Sequence, residues 1–215
     1  MIGISVAKRL RYALHNSNTN HMDALMNNQA ADAKLNCKYA QKVMDFLNEV
    51  GLLVSVVPGA TGFVEDIALA KGSVQVDPKC LPSVMLHEAG HLAVIPSRYR
   101  HMMSGNLYKS MRQIFEIAEM NYMDPDDSLT RALLQSSDPE VTAWAWALGK
   151  HLSIPEKLII LDSQYDNTGK EIRLQIKARC YAGINGLSHG GFCVTRANPY
   201  RPLPVYPELA FWLQP

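Results

Sequence analysis

The stretch PSVMLHEAGHLAVIP, residues 82–96, constrains the fold of this chain more than any other. Pro82 suits the first turn of a helix, where its missing N–H costs nothing, and Pro96 pushes the residue before it out of helical geometry. The segment between them therefore reads as a helix of about three turns. It is apolar on nearly every side and should be buried, yet it carries His87, Glu88 and His91. At about 100° per residue, His91 and Glu88 both fall within about 100° of His87 on the helical wheel, so the three share one face. Three ionisable groups on a buried helix are costly unless they are paired or bind a cation. Two imidazoles one turn apart can hold a zinc ion, and the intervening Glu can take a proton from the water that zinc activates. Ala89 and Gly90 leave room for a neighbouring backbone to approach.

A catalytic zinc takes a third protein ligand and leaves its fourth place to water. Position 97 is Ser, which sets aside the pattern with a third His shortly after the helix, and His101, just past Pro96, reads as a surface residue. Three glutamates remain. Glu116 and Glu119 sit one turn apart in QIFEIAEMNYM, and Glu140 opens PEVTAWAWALGKHL. Glu140 also has a plain helical role, because beside Asp138 as a cap and Pro139 it complements the helix dipole. The residues after it, from Val141 to Leu148, are almost all apolar, so that helix is buried and a carboxylate on it needs a partner. Spacing alone leaves Glu140 and the Glu116/Glu119 pair open. Peptide hydrolysis further needs a donor for the developing oxyanion, and His189, Tyr165 and Tyr122 are available. His189 lies in YAGINGLSHGGFCV, whose Gly183, Gly186, Gly190 and Gly191 read as turns or as a substrate-facing loop.

The rest of the chain indicates an α+β fold. Residues 1–35 read as an N-terminal helical extension with a break near HNSNTN. From Cys37 to Val50 apolar residues recur at helical spacing, with Gly51 where a C-terminal cap belongs. LLVSVV, GFVEDIALA and SVQVD are short, rich in Val and Ile, and separated by Pro58-Gly59 and Lys71-Gly72, which predicts a small, mostly antiparallel sheet packed on the His-Glu-His helix. A helical half follows, with helices near 105–122, 127–135, 138–152, 155–161 and 170–181. The tail NPYRPLPVYPELAFWLQP has five prolines and reads as a strap whose Phe211, Trp212 and Leu213 pack back on the body.

With 215 residues and 47% hydrophobic content the chain can build one substantial core. A formal charge of +1 offers no field to attract nucleic acid or an anionic membrane, and neither partner is expected. No secretory signal or apolar run of about 18 residues is present, so a cytoplasmic setting is expected. Cys37, Cys80, Cys180 and Cys193 form no C-x-x-C pair and read as buried free thiols.

LHEAGHLAV followed by DPEVTAWAWALGKHLSIP resembles the ImmA/IrrE-type metallopeptidases, in which an HExxH helix precedes a helix that begins with Glu and continues in Ala and aromatic residues. The likeness covers residues 36–155 in outline. It implies a gluzincin-like site with Zn2+ held by His87, His91 and Glu140, and with Glu88 as general base. His91 and Glu140 stand farther apart than the family pattern, which implies a helical insertion at about 97–136. The function so implied is a narrow-specificity regulatory zinc peptidase acting on a peptide or protein substrate, with the strand at Ser73–Asp77 offering an edge for the substrate to pair with. The alternative is a metal-binding regulatory or protein-interaction module of the same fold without turnover. A purely structural zinc site would be closed by four protein ligands and has no need of Glu88.

Overall fold

Ala40, Val43 and Leu47 recur at three- and four-residue steps and are buried along one face of the first described helix, α1 (Lys38–Glu49). Gly51 follows with φ +92°, a left-handed conformation that ends the helix as its sequence suggests. The computed structural model describes residues 34–120, 124 and 126–215. The extension expected over residues 1–35 lies, but for its last two residues, outside the described residues.

Three strands come next: β1 (Val54–Val56), β2 (Ile67–Ala70) and β3 (Ser73–Val76). Burial alternates residue by residue in each, so one face of the sheet meets the core. Lys71 and Gly72, both at positive φ, join β2 and β3 in the two-residue turn whose twist suits an antiparallel hairpin. The sheet order is β1-β3-β2, with β1 parallel to β3. It is therefore mixed, not mostly antiparallel. The loop after β1 carries the chain past the place of β3 to the far edge, and Asp77 anchors that loop by accepting from the Gly59 N–H at 2.6 Å and the Lys79 N–H at 2.9 Å. β3 is paired on both sides, so the edge expected of it for an added strand does not exist.

The helices that follow are α2 (Pro82–Val94), α3 (Ser97–Arg100), α4 (Leu107–Met120), α5 (Ser128–Leu134), α6 (Asp138–His151), α7 (Glu156–Ile159), the single turn α8 (Gln164–Asn167), α9 (Gly169–Lys177) and α10 (Ala182–His189). α2 is the hub of the core. It packs on β2 and β3, on α1, and most extensively on α6. α6 is buried on all sides over Val141–Gly149, and its outer flank is covered by α10. The C-terminal segment runs back over this core: Trp212 stacks edge-on against Phe46 and Trp144, and Phe211 packs at a tilt on Phe192. No described helix is long and apolar enough to cross a membrane.

Candidate metal centre

The helical period of α2 turns His87 and His91 to the same side, with ring centroids 5.0 Å apart and the rings nearly perpendicular. Glu88 joins them. One ligand atom from each of His87, Glu88 and His91 lies within 4.8 Å of the other two, and among the described residues no other group of His, Cys, Asp or Glu converges in this way. The three open onto a cleft of about 570 Å³ whose walls also include Ser136, Ser137 and Asp138 from the start of α6.

The electrostatics follow from burial. Burial lowers His87, and burial together with the neighbouring His87 ring drops His91 to about 3. Both imidazoles are thus neutral at pH 7, the form that binds metals. Burial pushes the Glu88 carboxyl up to about 7, and the Asp138 charge adds to the effect. His91 Nε2 faces Asp138 Oδ1 at 3.5 Å. With His91 neutral this is no ion pair, and the separation exceeds the ~2.7–3.2 Å of a good N–H···O bond. Two neutral imidazoles and adjacent carboxylates are a donor set that suits a divalent ion such as zinc, and the residues fit one on that ground.

Glu140 is not brought into this group. Its Oε2 accepts from the backbone N–H of Ser137 at 3.2 Å and from Ser137 Oγ at 2.5 Å, and the Ser137 side chain in turn accepts from the Glu140 backbone N–H to complete a helix capping box, with the residue only 7% exposed. The α6 carboxylate that faces His91 is that of Asp138, two residues earlier. The pattern Ser137-x-x-Glu140 signals such a box in sequence, so this was the readable clue. Glu116 is exposed and pairs with Arg112 one turn away at 3.0 Å. The side chain of Glu119 and the whole of Tyr122 lie outside the described residues.

Tyr165 does reach the site. Its hydroxyl is 2.9 Å from His87 Nδ1 and 2.9 Å from Thr142 Oγ1. A hydrogen bond to Nδ1 leaves Nε2 of His87 for an ion. His189 is not in the site: it ends α10 and lines a separate cavity of about 280 Å³ with Arg131, Arg201 and Gln214. Gly183 and Gly186 belong to no loop. They lie within α10, where a Cβ on Gly186 would stand 1.9 Å from Glu140 Oε1 and one on Gly183 1.8 Å from the Pro139 carbonyl oxygen. Of the four cysteines, all free, Cys80 and Cys193 are buried as expected, while Cys180 is exposed.

Comparison of the chain with protein-family models, with curated proteins and with solved structures finds no match.

Proposed function

We propose that this protein is a zinc-dependent peptidase of the ImmA/IrrE type. The observation that carries the reading is the convergence of His87, Glu88 and His91 within 4.8 Å at the wall of an open cleft. His87 and His91 would hold the ion, and Asp138, which already faces His91, is better placed than Glu140 to supply the third ligand. Bound there, zinc contributes Lewis acidity, acidifying water and polarising the scissile carbonyl.

The chain's own groups do the rest. Glu88 accepts a proton from the attacking water and passes it to the leaving amine as the C–N bond breaks. Tyr165, held by Thr142, fixes the orientation of the His87 ring. Four free cysteines accord with a reducing, cytoplasmic setting for such an enzyme.

The test measures zinc content and cleavage together. Wild type and the Glu88→Gln, Asp138→Asn and Glu140→Gln variants are analysed for bound zinc and incubated with a proteome-derived peptide library, and new N-termini are counted by mass spectrometry. Glu88→Gln should keep its zinc and lose about 10²–10⁴-fold in cleavage. Asp138→Asn should lose zinc, whereas Glu140→Gln should keep it. Zinc-loaded wild type that cleaves nothing beyond Glu88→Gln would leave the metal-binding module without turnover as the better reading.

A further inference from the structure

The cleft beside the His pair has two walls of opposite chemistry. One is the polar wall of α2 and the start of α6. The other is apolar, built from Phe63 and Val64 of the loop before β2 and from Leu107, Met111 and Phe115 of α4. These last three recur at four-residue steps and so form one stripe along the helix. α4 has a second apolar stripe, Ile114 and Ala118, which is fully buried against the body. The Leu107, Met111 and Phe115 stripe is only half-buried and borders the cleft. At the mouth of the cleft Phe63 is 83% exposed and Tyr108 84% exposed. One helix thus anchors itself with one face and leaves a second apolar face beside the catalytic groups, which its own packing does not require.

A volume of about 570 Å³ is within the range that houses a bulky side chain with its flanking backbone.

We propose that the α4 wall is a substrate-selecting subsite: the cleft takes an extended polypeptide with a Leu, Met or Phe side chain beside the bond presented to Glu88. The identity of that bond rests on the peptidase reading, but the binding preference does not. Burial of one such side chain corresponds to about 10–100-fold in affinity.

The experiment uses full-length, zinc-loaded Glu88→Gln protein and fluorescein-labelled heptapeptides Ala-Ala-Ala-X-Ala-Ala-Ala, with X as Leu, Phe or Ala, followed by anisotropy. Leu and Phe peptides should bind at least about tenfold more tightly than the Ala peptide. Adding Met111→Ser or Phe115→Ser should shrink the Phe-to-Ala ratio to below about threefold, while Met111→Leu should preserve it. Equal binding of the Phe and Ala peptides, or no binding of either, overturns the proposal, and because these arms leave the α4 wall unaltered they do not depend on the serine variants folding. The same peptides are then given to the Glu88 enzyme. Selective binding without Glu88-dependent hydrolysis upholds the subsite and removes the peptidase reading. Glu88-dependent hydrolysis with no apolar preference does the reverse.

Discussion

The hydroxyl of Tyr165 stands between a candidate zinc ligand and a threonine fully buried in α6, and its backbone shows how firmly it is held there. Tyr165, Asp166 and Asn167 all adopt positive φ, at 55°, 55° and 68°. Asn and Asp tolerate that region, but for Tyr it costs on the order of 1–3 kcal/mol, which the surrounding contacts must offset. Replacing Tyr165 with Phe keeps the ring and removes the hydroxyl, with its hydrogen bonds to His87 Nδ1 and Thr142 Oγ1. Zinc affinity, measured by competition with a chelator of known strength, should fall about 10–100-fold. An unchanged affinity would reduce Tyr165 to a packing residue. No local pattern could have announced this role, because Tyr165 and His87 meet only through the tertiary fold. The convergence of His87, Glu88 and His91, by contrast, was legible because helical periodicity alone decides it. The capping box at Ser137 is open to local reading too, because Ser137-x-x-Glu140 gives the Glu140 carboxylate a partner without a metal, whereas the approach of Asp138 to His91 depends on how α6 packs on α2.

Gly90 sits between the two histidines on α2 at the point where α6 presses closest. A Cβ there would lie 2.8 Å from Val141 Cγ1, 3.2 Å from the Val141 carbonyl oxygen and 3.3 Å from the Trp144 ring. Both partners are fully buried, so neither can swing aside. Alanine favours a helix over glycine by about 1 kcal/mol, but forced overpacking in a tight core costs about 1–3 kcal/mol. Gly90→Ala is therefore expected to lower stability by about 1–2 kcal/mol, read as a lower urea midpoint with an unchanged slope. A midpoint at or above that of wild type would mean that the two helices can separate freely. Helices bounded by Pro or long apolar runs, α2 and α6 above all, stood out in sequence to within a residue or two. α10 did not, because Gly183 and Gly186 imitate a turn while they serve to bring α10 onto the first turn of α6. The strands were legible as strands, but their order was not. Pairing of β1 with β3 depends on where the intervening loop crosses, and no residue in β1 encodes it.

At the scale of the whole molecule, the C-terminal segment connects parts of the core that are distant in sequence. The Trp212 carbonyl accepts from Trp144 Nε1 at 2.9 Å, the Gln214 N–H donates to the Ala93 carbonyl at 2.8 Å, and Arg100 donates to the Gln214 carbonyl at 2.7 Å. Tyr206 donates its hydroxyl to the Ala143 carbonyl at 2.9 Å. The strap thus grips α1 through Phe46, α2 through Ala93 and α6 through Ala143 and Trp144. Its backbone bonds survive loss of a side chain, so Trp212→Ala tests the aromatic packing by itself. Truncating a half-buried indole that touches Phe46, Trp144 and His151 should cost about 2–3 kcal/mol. For a protein of this size that corresponds to a melting temperature lower by roughly 5–10 °C. Because the strap contacts the sides of α2 and α6 and the cleft-lining residues include none of its members, the zinc bound per folded molecule should stay at the wild-type level. Loss of zinc without loss of stability would show that the strap supports the cleft and not the core, and would reverse the division of labour inferred from these contacts.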